Sequence, residues 1–328
     1  MTWTGLFLLH FCLAATVSQA KVEGLCSNCH TMHNSQDGAV MAQGGTGATL
    51  LMDDCVGCHS SATAETIVSG TPIVFNTGVP PAQPLAGGNF HWVARGGAEN
   101  DVYGHNVWGI SEEDANITAT EGAPGGIMAS GCTTSCHKSL VIDNVFGKRG
   151  CQGCHTEVAH HDDSKPWFRF LKGHISSEAY VLGKEAPDWE QDGGSDPSLR
   201  NVYKGVNGPI TWGGETGITA GHSISAFCLG CHAGFHKDMG VTSPWLRHPN
   251  NILLPSTGEY EAYDPIDNYS NEAPVAYLNI DAPSRDEAVI TCLSCHRAHG
   301  SDQPDMLRWD YANMPEGTGC YTCHSTKK

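Results

Sequence analysis

Seven times this chain spells a spaced pair of cysteines followed at once by histidine, and no other feature restricts its possible folds as much. The sites are Cys26, Cys29 and His30; Cys55, Cys58 and His59; Cys132, Cys136 and His137; Cys151, Cys154 and His155; Cys228, Cys231 and His232; Cys292, Cys295 and His296; and Cys320, Cys323 and His324. On a helical turn, residues i, i+3 and i+4 share a face, so two thiols meet a porphyrin edge while the imidazole reaches its iron. The pattern predicts seven covalently attached haems c, with the cysteines as thioether donors and the seven histidines as proximal ligands. The third site has one extra residue, which puts His137 at i+5 from Cys132. A looser turn through Thr133, Thr134 and Ser135 has to absorb it.

Two other chemistries use paired cysteines. Structural zinc needs two pairs, or a mixed cysteine and histidine set, for each ion, and an odd number of pairs does not divide into such sets. A disulfide framework suits an exported chain but gives no reason for histidine directly after each second cysteine. Haem accounts for both the spacing and the histidine.

The opening MTWTGLFLLHFCLAATVSQA is apolar from about Gly5 to Val17 and ends in Ser18-Gln19-Ala20. It fits a secretory signal peptide over residues 1–20, cleaved before Lys21, although its start lacks lysine and arginine and His10 interrupts the apolar run. Cys12 would leave with it. No later stretch approaches the ~18 consecutive apolar residues of a membrane span, so none is expected in the mature chain, which should be soluble. Residues 21–328 are expected to form a single heptahaem domain, with roughly 44 residues for each motif, far below the ~100 of an ordinary domain. With so little protein between cofactors, the haems have to lie close together.

The 39 glycines and 17 prolines are spread widely, and stretches such as Thr71–Gly97 and Asp188–Gly221 hold no helical or strand period for long. This predicts a mostly irregular multihaem c-type cytochrome with short α-helices at the haem motifs, very few β-strands and a haem stack as the core. Two local expectations follow: one longer helical run near Asp286–Cys295, and two or three short strands, for instance around Ile67–Phe75. The net charge of −17 argues against nucleic acid as a partner and for solubility outside the cell.

Axial ligands decide between a conductor and an enzyme. Of 18 histidines, seven complete the motifs and His10 lies in the leader. His33, His91, His105, His160, His161, His174, His222, His236, His248 and His299 remain as candidate distal ligands, enough for bis-histidine iron throughout. Such iron offers no open position to a substrate and is suited to electron exchange. Met32, Met41, Met52 and Met128 are read as haem-packing residues, because imidazole is plentiful. His33 and His299 lie three residues after their proximal histidines and His236 four after its own. Each therefore projects from the same short helix and is expected to ligate a different haem.

The segments CSNCHTMHNSQDGAVM from Cys26, GGNFHWV from Gly87, YGHNV from Tyr103, SAFCLGCHAGFH from Ser225, PWLRHP from Pro244, CLSCHRAHGSDQPDMLRWD from Cys292 and the terminal CYTCH resemble the extracellular filament-forming multihaem c-type cytochromes, the cytochrome nanowires of metal-respiring bacteria. The resemblance implies a homopolymer with a continuous haem stack, in which His33 ligates a haem of the adjacent subunit, here taken as the one on Cys292 and Cys295. It implies His105, His236, His248 and His299 as distal ligands within the subunit. The segment from Cys151 to His174 resembles related multihaem cytochromes and adds His174 and one of His160 or His161. His91 and His222 are then spare. The chain departs from the pattern at CTTSCHKSL, where no histidine follows three residues on.

The leading expectation is an electron carrier rather than an enzyme: a secreted subunit of an extracellular filament that reaches other redox proteins or metal and electrode acceptors by way of the periplasm. A monomeric shuttle would differ only in assembly. A reductase of a small oxyanion such as nitrite would need a five-coordinate iron.

Overall fold

The computed structural model describes residues 35–36, 39–40, 56–107, 110–111, 114, 166–171, 180–191, 199–208, 210, 221–236 and 248–327. Of residues 35, 36, 39, 40, 57, 58, 230, 231 and 233–236 only the backbone is described. The leader, the first, third and fourth motifs, Cys55, and the candidate ligands His33, His160, His161 and His174 lie outside the described residues.

Among the described residues every regular element is short except one. β1 (Ser35–Gln36) and β2 (Ala39–Val40) pair antiparallel. α1 (Val56–His59) carries the second motif and runs into β3 (Ser60–Ser61). β4 (Ile67–Val68) and β5 (Thr71–Pro72) form a hairpin whose two central residues, Ser69 and Gly70, both have positive φ (49° and 79°). That is the backbone of a tight turn matched to strand twist. β6 (Phe75–Asn76) then pairs parallel with β3.

The larger sheet is built from β7 (Gly183–Lys184), β8 (Val202–Lys204), β9 (Ile252–Leu253), β10 (Ala276–Tyr277) and β11 (Ala288–Ile290), in the order β7-β8-β10-β11-β9. Only β8 and β10 run parallel; the other neighbours are antiparallel. Side chains alternate across a strand, and the two faces sort accordingly. Tyr203, Ala276 and Val289 pack with Phe168, Val181, Ile224 and Phe227 on one face. Val275, Tyr277, Ala288 and Ile290 pack with Leu254 and Tyr263 on the other. Side chains thus bury one another as well as whatever the cofactors cover. Among the described residues no helix is long and apolar enough to cross a membrane.

α2 (Ile224–His236) holds the fifth motif and α3 (Cys320–Cys323) the seventh. Ser223 caps α2, its hydroxyl accepting from the Ala226 amide at 3.2 Å. Ile224, Phe227 and Cys228 meet the sheet at the i, i+3, i+4 spacing of one helical face. The longest helix therefore sits here, and the run expected near Asp286–Cys295 is instead a 3-10 turn at Arg285–Glu287, β11, and a second 3-10 turn at Cys292–Ser294. Ala288-Val289-Ile290 is buried on both sides, a position a central strand fills and an amphipathic helix does not. Strands also outnumber the two or three expected among the described residues, because each is only two or three residues long and too brief to leave a period in the sequence.

Candidate functional site

The sixth motif is folded by its own neighbours. Thr291 and Ser294 form a reciprocal capping box around Cys292–Ser294, with the Thr291 amide donating to Ser294 Oγ at 3.1 Å. The amides of Cys295 and His296 both donate to the Cys292 carbonyl, at 3.3 and 3.1 Å. Cys292, Cys295 and His296 are thereby gathered on one turn, as haem attachment needs. In the seventh motif the His324 amide reaches the Cys320 carbonyl at 2.9 Å in the same way. In α2 the helical geometry breaks at His232 (φ −93°, ψ 15°).

Three segments far apart in sequence converge on the turn after His296. Gly300 sits between Gly88 and Gly104 in paired backbone bridges. The Asn89 amide donates to the Gly300 carbonyl and the Ser301 amide to the Tyr103 carbonyl, both at 2.9 Å. Gly88 and Gly300 have φ of 83° and 151°, and a Cβ on Gly88 would stand 2.0 Å from the Gly300 oxygen, so no other residue fits this approach. The contact seats the His299 ring on Phe90 (centroids 4.8 Å apart) and brings His105 to Ala298.

Six of the described histidines share one kind of hydrogen bond. Nδ1 of His59 donates to the Pro72 carbonyl at 2.7 Å, His91 to Asn76 at 2.6 Å, His105 to Ala298 at 2.7 Å, His222 to Tyr180 at 2.8 Å, His248 to Pro249 at 2.8 Å and His296 to Asp305 at 2.7 Å. A carbonyl only accepts, so Nδ1 carries the proton and Nε2 keeps its lone pair for a metal. His324 differs in using a carboxylate, Glu259 Oε1, at 2.9 Å. Lys327, Tyr260 and His324 together hold the Glu259 carboxyl down at about 2. Burial lowers the pKa of His105 and of His296, which favours the neutral imidazole that coordinates metals.

Two pairs of imidazole rings adjoin. His105 and His232 have centroids 5.9 Å apart, and His248 and His324 6.2 Å. Two imidazole–metal bonds of about 2 Å, with about 1 Å from each nitrogen to its ring centre, span about 6 Å. The donor set therefore fits one iron held between each pair. Among the described residues no imidazole faces His296 in this way. Only the backbone of Cys58, Cys231 and His236 is described.

The thiols fit an adjoining row of attachment sites. Cys292 lies against Cys228, and hydrogen bonding there brings its thiol down to about 7. Cys295 is pushed up to about 12 by burial, with Cys320 and Cys323 beside it. Cys228 of the fifth motif thus meets Cys292 of the sixth, and Cys320 and Cys323 of the seventh act on Cys295. Two features that sequence reasoning passed over are Arg297 and Arg308. Arg297 donates to the Leu85 and Ala86 carbonyls, and Arg308 to those of Leu293, His296, Asn271 and Ala86. Burial, then repulsion from Arg308, lowers Arg297 to about 9. Buried cations held only by carbonyls suit an anionic neighbour such as a haem propionate. In the sequence these arginines are isolated basic residues without a pattern.

The doubled CXXCH motif matches residues 283–328, the segment of the sixth and seventh motifs. The C-type cytochrome OmcS of Geobacter sulfurreducens is 26% identical over 365 aligned positions, covering 88% of this chain and 79% of OmcS. The chain is homologous to that cytochrome. As an OmcS homologue it carries its CXXCH motifs as attachment sites for covalently bound haem c. Two solved structures cover 88% of this chain and 84% of theirs: the outer membrane cytochrome S filament from Geobacter sulfurreducens (22% identical, TM-score 0.48) and the OmcS nanowires from the same organism (21%, TM-score 0.47).

Proposed function

We propose that this OmcS homologue is an extracellular electron carrier whose seven motifs each hold one haem c, and that its subunits join head to tail into a filament. The observation that carries this reading is the pair of imidazole couples, His105 with His232 and His248 with His324, each spaced for one six-coordinate iron. Bound haem supplies reversible one-electron exchange. The protein's part is to fill both axial positions, fix each ring through Nδ1 and keep consecutive attachment sites in contact.

In this reading residues 1–20 direct export and residues 21–328 are the heptahaem domain. The cysteines of all seven motifs bind haem, and His30, His59, His137, His155, His232, His296 and His324 are proximal. His105, His236, His248, His299, His174 and one of His160 or His161 complete sites within the subunit. His33 supplies the partner of His296 from the adjacent subunit. A coordination bond across a head-to-tail interface fixes register and lets the assembly grow as an open helix.

Negative-stain microscopy of secreted material, paired with intact-mass counting of haems, tests the proposal. Uniform fibres carrying seven haems per chain are expected, and His33→Ala should abolish the fibres with all seven haems retained. Single particles at micromolar concentration in the wild type would leave a monomeric shuttle instead.

A further inference from the structure

We infer that His91 fills a distal position in place of His160 or His161, as an axial haem ligand held by a buried asparagine clamp. Asn76 and Asn89 are both completely buried. Asn76 Nδ2 donates to the Thr63 and Glu65 carbonyls at 2.6 and 2.9 Å, and Asn89 Nδ2 donates to Asn76 Oδ1 at 2.6 Å. Asn89 Oδ1 then accepts two amides at once, that of Asn76 at 3.1 Å and that of His91 at 3.0 Å. The His91 ring closes the loop by donating Nδ1–H to the Asn76 carbonyl at 2.6 Å. Trp92 stands edge-on to the ring, 5.8 Å between centroids at 89°.

The clamp sets both where the His91 backbone lies and how its ring is turned. Ordering two buried amides costs free energy unless each polar atom is met, and a half-buried imidazole with no task would be served by water at both nitrogens. The ring bond here is also made by His105 and His248, which lie beside motif histidines, by the motif histidines His59 and His296, and by His222. Such an Nδ1 partner is what orients a metal-ligating imidazole and fixes its tautomer. His91 thus presents Nε2 as a ligand, with Asn89 and Asn76 as positioning residues.

This inference rests on the reading that the motifs carry bis-histidine haem, and the test separates the two. Wild type, His91→Ala and His91→Met are isolated as secreted, assembled protein, with haems counted by intact mass. In His91→Ala we expect an unchanged haem count, a new high-spin ferric signal, and one additional haem per subunit that binds carbon monoxide when reduced. His91→Met should stay six-coordinate, gain the thioether-to-iron charge-transfer band and show a more positive potential at one haem. If all haems remain attached and neither variant changes spin state, carbon monoxide binding or the charge-transfer region, His91 is not a ligand. If His91→Ala fails to accumulate, His91→Met alone decides by the same band. High-spin haem throughout the wild-type material would overturn the underlying reading instead.

Discussion

Residues 248–327 and residues 56–107 both hold histidine rings by hydrogen bonds at Nδ1, yet among the described residues only the first region brings two of its own imidazoles within about 6 Å of each other. There His248 meets His324 across 6.2 Å, and the sulfurs of the sixth and seventh motifs adjoin. In the second region His59 and His91 are each turned by a carbonyl of the β5–β6 segment. The contrast separates two tasks. Aiming a ligand is local work, done by a carbonyl a few residues away. Pairing ligands is tertiary work, and the C-terminal region achieves it because a sheet packed on both faces holds its loops.

The strongest way to break the comparison is to remove that sheet. Val289 is wholly buried at its centre, so Val289→Asp would place an uncompensated charge there at a cost of several kcal/mol, a large part of the ~5–15 kcal/mol that stabilises a typical domain. Secreted yield and protease resistance should collapse, whereas Val102→Asp, at a site 44% exposed, should change little. Next in size, His248→Ala should open one iron in the C-terminal region with all haems attached, read as a single high-spin signal in assembled material. An unchanged spectrum would show that the His248–His324 couple holds no iron.

Asn89→Ala tests the other region. It leaves the amides of Asn76 and His91 and the side-chain oxygen of Asn76 unmet, for about 3 kcal/mol of lost stability, and hydrogen exchange should rise in residues 56–107 while 248–327 keep their protection. The smallest effect is expected from Glu259→Gln, which keeps an acceptor for His324 but removes its charge. The potential of the C-terminal haem should rise, since a less basic imidazole stabilises ferric iron less. The native carboxylate has its pKa lowered from 4.5 to about 2, so what it contributes is present above pH 4.5 and lost as pH falls through about 2. A potential that changes between pH 7 and 5 because of this residue would contradict that order.

Much of the site is legible without coordinates. The attachment cysteines and proximal histidines stand in a local pattern, and His105, His248 and His299 stand in segments that resemble a family. His91 stands among the candidate ligands by count alone and is left spare by the resemblance, because its clamp joins residues 63, 65, 76 and 89 through bonds that leave no spacing to read. The meeting of Gly88, Gly104 and Gly300 was equally hidden: three ordinary glycines in a glycine-rich chain become a junction only when the backbone brings them together. The β11 strand was read as helix because three apolar residues after two acids fit both periods, and only burial on two faces separates them.

Local pattern carries the chemistry: cysteine pairs with histidine at one helical turn are the donor set a porphyrin and its iron require, since that geometry spans five or six residues. Only the tertiary structure decided which imidazoles face each other and which sulfurs adjoin. Those distances depend on loops packing across a sheet from positions over a hundred residues apart, as His105 and His232 do, and no local spacing encodes them.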